Sequence, residues 1–87
     1  MSWFVYMIQC SDETLYTGIT NNLARRLHQH ASQRGAKYFR GRQPEKIVYV
    51  ESGHDRSSAS KREAAIKKLT REEKRSLIAD KGNENPG

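Results

Sequence analysis

Five side chains in this 87-residue sequence have the types and the spacing that hydrolysis of a phosphodiester needs. Tyr6 and Tyr16 stand ten residues apart in two short apolar segments, Arg26 and His30 are four apart in a helical pattern, and Glu63 lies in a later basic segment. The reaction requires that a water be deprotonated, that charge on the phosphoryl oxygens be stabilised, and that the departing oxyanion be neutralised. Arg26 offers a planar fork for two phosphate oxygens. Glu63 is a hard oxygen ligand suited to Mg2+ or Mn2+, and a hydrated divalent ion suits the leaving oxygen. A phenol titrates near pKa ~10, so Tyr6 or Tyr16 needs the arginine or the metal beside it before it acts as a base at neutral pH. Taken singly, each residue has a structural role open to it. The tyrosines suit half-buried strand positions, and Arg26 and His30 suit a solvated helix edge beside Arg25 and His28. Glu63 suits a capping box with Ser60 or an ion pair with Lys67. The order and spacing of the set carry the chemical reading.

The elements that must position these groups are short. Residues 3–8 are a continuous apolar run rich in aromatic and β-branched side chains, and Leu15–Thr20 alternates with period two; both read as strands. The polar Cys10-Ser11-Asp12-Glu13-Thr14 between them predicts a hairpin. If the loop pivots on Asp12, Tyr6 faces Gly18 and Ile8 faces Tyr16, which puts both phenols on one face with open space at Gly18 beside the Tyr6 ring. A loop one residue different puts them on opposite faces. Asn21 or Asn22 caps a helix through His30 with Leu23, Leu27 and Ala31 as its core stripe, and Arg26 and His30 share a flank of it. Residues 33–44 lack a sustained period and read as a long connection. Residues 47–50 form a third strand ended by Ser52-Gly53. A basic helix starts at Ser57 or Ser58 and runs to Leu69, and Thr70-Arg71-Glu72-Glu73 opens another reaching about Ala79. The expected fold is α+β, a small three-stranded antiparallel sheet flanked by helices, with one domain over residues 1–81 and a flexible tail at 82–87.

Net charge is +6, and all of it sits in one stretch. Residues 24–46 hold seven basic side chains against Glu45 alone, while the remaining nine basic residues are matched by nine acidic ones. That is the pattern of a phosphate-facing patch. Within it Arg25, Arg34, Lys37, Arg40 and Arg42 supply charge, and Tyr38 and Phe39 supply rings on which an exposed base can stack. Strained, branched or single-stranded DNA suits such a surface; RNA is an alternative. Lys61, Arg62, Lys67, Lys68 and Arg71 offer a wider track.

Phe4-Val5-Tyr6, then Tyr16-Thr17-Gly18, then Asn22-Leu23-Ala24-Arg25-Arg26-Leu27 and His30 together resemble the GIY-YIG nuclease superfamily over about residues 2–78. The likeness is greatest to small stand-alone bacterial members, whose catalytic domain is similar to that of the eukaryotic endonuclease acting on branched DNA. The resemblance implies a sheet of three antiparallel strands, a single divalent metal on Glu63, a phosphate-steadying Arg26 with His30 after it, and Tyr6 as general base. It implies a role in DNA repair or recombination. Of the two triplets only the tyrosines and Gly18 survive. Where many members carry an asparagine about a dozen residues after the glutamate, this chain has Arg75, and its late asparagines fall in the expected tail.

Other classes fit less well. No apolar run reaches the roughly 18 residues of a membrane span, and no basic leader precedes residues 3–8, so the expected location is cytoplasmic. The single Cys10 reads as packing filler. A hydrophobic fraction of 34% is low, but its gathering into periodic segments argues for a folded unit. A monomer is the default state. The competing readings are a nucleic-acid-binding module without catalysis and a scaffold that recruits a repair partner.

Overall fold

The computed structural model describes residues 2–31, 44–80 and 83. In chain order they form β1 (Trp3–Cys10), β2 (Leu15–Thr20), α1 (Leu23–Ala31), β3 (Pro44–His54), α2 (Arg56–Lys67) and α3 (Arg71–Ile78). The strands make one antiparallel sheet in the order β2-β1-β3, an α+β arrangement with helices against it. The expected connection over residues 33–44, with Arg34, Lys37, Tyr38, Phe39, Arg40 and Arg42, lies outside the described residues up to Pro44.

The hairpin turns where its chemistry directs. The Asp12 carboxylate accepts from the Thr14 amide at 3.2 Å and the Thr14 hydroxyl at 2.6 Å, while Glu13 takes a left-handed φ of 67°. The Cys10 amide donates to the Thr14 carbonyl, and the Glu13 amide to that of Cys10, both at 2.9 Å. The resulting register pairs Tyr6 with Gly18 and Ile8 with Tyr16, as a pivot on Asp12 requires.

As the middle strand, β1 is covered on both faces. Val5 and Met7 join Val48, Tyr49, Ala59 and Ile66, with Leu77 and Ile78 packed at the margin, so α2 and α3 lie on that side. Tyr6, Ile8 and the fully buried Cys10 form a second cluster with Tyr16, Leu23 and Ile47, so α1 lies on the other. Packing on two faces accounts for the unbroken apolar run of β1.

Several boundaries differ from the expectation; β1 runs on to Cys10, and β3 starts already at Pro44. β3 continues through Ser52-Gly53 to His54, because pairing of His54 with Trp3 extends the ladder and Gly53 absorbs the bend at φ +81°. α2 starts earlier, at Arg56, and ends at Lys67. Its cap is Asp55, whose carboxylate accepts from the Ser58 amide at 2.7 Å, while the Ser58 hydroxyl accepts from the Asp55 amide at 3.1 Å. Ser60 is inside that helix, which removes the capping role for Glu63. The Thr70–Glu73 capping box of α3 forms as expected. Asn83 falls in the expected tail, yet its side chain accepts from the Val50 amide at 3.0 Å and donates to the Val48 and Ile78 carbonyls at 2.8 Å. Asn83 thus ties β3 to the end of α3. No helix among the described residues is long and apolar enough to cross a membrane.

Candidate active site

Tyr6 and Tyr16 project from adjacent strands on the α1 side of the sheet, with ring centroids 6.3 Å apart and planes tilted by 48°. Both phenols pass over Gly18. A methyl group built there meets the Tyr6 hydroxyl oxygen at 2.6 Å, Cζ of the same ring at 2.8 Å, and Cε2 of Tyr16 at 3.1 Å. The space expected beside the Tyr6 ring is therefore occupied by that ring, and the glycine permits the occupation.

α1 enters the site through a local cap. The side-chain oxygen of Asn22 accepts from the Arg25 amide at 3.0 Å, and the Thr20 hydroxyl accepts from the Asn22 amide at 3.1 Å, so of the two asparagines Asn22 is the cap. Arg26, half-buried, shares an open polar hollow with Thr20, Asn21, Asn22 and the exposed Arg25. His30 lies one turn later on α1, and its side chain is outside the described residues.

Electrostatics tie α1 and α2 to the tyrosines. Burial pushes the Tyr6 phenol well above its ordinary range; Tyr16 and Glu63 push it further, and the Arg26 charge opposes them. Tyr16 is raised by burial and then by Glu63, again against Arg26. The charges of Arg26 and Glu63 thus bear on both phenols. Glu63 is one quarter exposed and its Oε2 lies 3.6 Å from Lys67 Nζ, an exposed-type pair that costs little to break.

A second polar cluster was not anticipated. The Glu51 carboxylate of β3 accepts from the Tyr49 hydroxyl and bonds to Nε2 of His54, and Arg62 Nε of α2 lies 3.3 Å from its Oε2. Nδ1 of His54 is 2.9 Å from the Ser58 hydroxyl. Burial alone would raise Glu51, but hydrogen bonds from Tyr49 and His54 and the Arg62 charge outweigh it and leave the carboxyl below its usual range. The signal available in sequence is the Tyr49-x-Glu51 spacing, which puts both on one face of a strand. Of the basic residues suggested for a wider track, Arg62 is thereby engaged with Glu51, Lys67 with Glu63, and Arg71 with the Glu13 carbonyl at 2.9 Å. Lys61 and Lys68 are exposed.

Three raised phenols make stability fall in alkali. Tyr49 is pushed up to about 12, by burial and then by its bond to Glu51. Each neutral phenol is favoured by the fold, so its contribution is intact below the unfolded value of 10.0 and is lost as pH climbs through the folded one. The midpoint of thermal unfolding is expected to drop steeply between about pH 10 and 12, and less steeply in Tyr49→Phe, as followed by circular dichroism.

Residues 2–76 match the GIY-YIG catalytic domain. A UPF0213 protein of Desulfotalea psychrophila is 56% identical over 78 residues, covering 88% of this chain and 71% of its own. Another, from Clostridium perfringens, is 51% identical and covers 90% of this chain and 84% of its own. The solution NMR structure of a UPF0213 protein from Bacillus halodurans superposes with a TM-score of 0.61 at 38% identity, covering 97% of this chain and 89% of that one. Sequence and fold together show that the chain belongs to the GIY-YIG family of nuclease domains.

Proposed function

We propose that this domain is a metal-dependent endonuclease that hydrolyses DNA phosphodiester bonds and selects branched, single-stranded or otherwise distorted DNA, in repair or recombination. The observation that supports it most is the joint action of Arg26 and Glu63, from two different helices, on the paired phenols of Tyr6 and Tyr16. Arg26 takes two non-bridging phosphate oxygens and stabilises the charge that develops on them. Tyr6 is assigned as the general base that takes the proton of the attacking water, with Arg26 opposing the burial that raises its phenol and Tyr16 beside it. His30 follows Arg26 by one turn and is assigned to the same phosphate. Arg25, with Arg34, Lys37, Tyr38, Phe39, Arg40 and Arg42, is assigned to the flanking strand.

The donor set fits a hard, hydrated ion. One partly exposed carboxylate, Glu63, whose charge bears on two phenols, suits hydrated Mg2+ or Mn2+. Held by Glu63, such an ion supplies charge for the leaving oxygen and lowers the pKa of a phenol or water next to it.

The test is incubation with supercoiled, single-stranded and branched DNA, with Mg2+, Mn2+ or EDTA. Cleavage that needs metal and is lost in Glu63→Ala, with DNA binding retained, is expected. Binding without cleavage under every metal would instead identify a nucleic-acid-binding module.

A further inference from the structure

The cluster centred on Glu51 has no part in the proposal above, yet it is joined to the site by one helix. Ala59 and Ile66, both 0% exposed, mark the stripe of α2 that faces the sheet. Successive helical residues turn by about 100°, so Arg62 and Glu63 leave α2 on the two flanks of that stripe. The sheet order β2-β1-β3 puts opposite edges beneath those flanks, and α2 touches all three strands. Arg62 goes to the β3 flank, where its Nε is 3.3 Å from Oε2 and 3.2 Å from Oε1 of Glu51. Glu63 goes to the β2 flank, where its charge is felt by Tyr16 and Tyr6. A rotation of α2 about its axis that swings Glu63 away from the phenols therefore also shifts Arg62 against Glu51 and disturbs the bond between them.

The anchor is itself fixed. Tyr49, 2% exposed, donates to the Glu51 carboxylate, and His54 bridges that carboxylate to Ser58 in the first turn of α2. Arg62 is 37% exposed, and ion pairs of that kind add little to stability. Its effect on folding and its effect on Glu63 are therefore separable.

We propose that the pair Glu51–Arg62, braced by Tyr49 and His54, fixes the rotation of α2 and thereby sets Glu63 against its divalent cation. Arg62 and Glu51 are positioning residues. The inference rests on the assignment of Glu63 as the metal ligand. Groups that orient a ligand in this way carry about 10- to 100-fold in metal affinity.

The test measures Mn2+ binding to the full chain by calorimetry without nucleic acid, and the Mn2+ concentration giving half-maximal DNA cleavage. Arg62→Ala is expected to stay folded by circular dichroism, weaken Mn2+ about tenfold and raise the half-saturating concentration equally, with the rate at saturating Mn2+ within about threefold of wild type. Arg62→Lys restores part of the affinity, and Glu51→Gln, which keeps the volume at that site, reproduces the Arg62→Ala result even if the latter fails to fold. If Glu63→Gln weakens Mn2+ while Arg62→Ala and Glu51→Gln do not, the metal assignment stands and the inference alone is overturned. If Glu63→Gln binds Mn2+ as wild type does, both fall.

Discussion

Arg26→Ala is expected to slow DNA cleavage by about a thousandfold while leaving the fold intact, the range seen when a charged group aimed at a transferring phosphoryl is removed. Arg26 sits in an open hollow beside the exposed Arg25, so its loss opens no cavity in the core. Binding of DNA should change far less than the rate, because Arg25 and the basic stretch after α1 still neutralise phosphates. Arg26→Lys should recover only a fraction of the loss, since an ammonium cannot span two oxygens with a planar fork. The pH profile gives a second check. Arg26 pulls the phenols of Tyr6 and Tyr16 downward against burial, so its removal is expected to move any tyrosine-dependent limb of the profile to higher pH. Single-turnover rates at saturating metal would measure both effects, and a rate within tenfold of wild type would remove Arg26 from the chemistry.

Gly18→Ala is expected to damage stability and catalysis together. The added methyl falls 2.6 Å from the Tyr6 hydroxyl oxygen and 2.8 Å from its Cζ, contacts no folded chain holds. Tyr6 is 1% exposed and packed with Ile8 and Cys10, so its ring cannot swing aside as a surface side chain would. Overpacking of this kind costs about 1–3 kcal/mol, measurable by denaturant unfolding. A displaced Tyr6 hydroxyl should also lower the cleavage rate about a hundredfold, the usual penalty for a reacting group moved by an ångström. The two consequences share one cause, which a double-mutant cycle isolates. In a Tyr6→Phe background the worst contact is gone, and Gly18→Ala should cost measurably less stability. Equal costs in the two backgrounds would place the strain at Cζ, which phenylalanine keeps, or at Cε2 of Tyr16.

Much of this geometry was legible because it is local. The register of the hairpin follows from Asp12 and Thr14, residues two apart, and it alone decides that Tyr6 and Tyr16 share a face. Asn22 and Thr70 cap their helices by bonds to amides three residues on. Of what was misread, the start of α2 is local, set by Asp55 and Ser58, and the rest depends on partners distant in sequence. Ser52-Gly53 has the composition of a strand end, but Trp3, about fifty residues earlier, holds the ladder together past it. For Glu51 the sequence offers only the Tyr49-x-Glu51 spacing, and its ion pair forms when α2 folds back and brings Arg62 to it. The phenols of Tyr6 and Tyr16 are shifted by burial beneath α1 and by charges from two helices, quantities that the spacing of tyrosines does not contain. The pairing of Gly18 with Tyr6 is as expected, but the space expected open beside the ring is filled by the ring itself.

The separation of the two side-chain clusters by β1 has a consequence for how such a chain can change over time. Val5, Met7, Ala59 and Ile66 hold the helices of one face, while Tyr6, Tyr16 and Leu23 meet on the other. Exchanges among aliphatic residues beneath α2 and α3 that conserve volume are tolerated by cores in general, and here they leave the opposite face untouched. Glu63 is the exception, because it belongs to a helix of the first face and acts on the second. Exchanges beneath α2 that conserve volume are therefore expected to leave the paired phenols in place, provided that they keep the angle at which α2 presents Glu63.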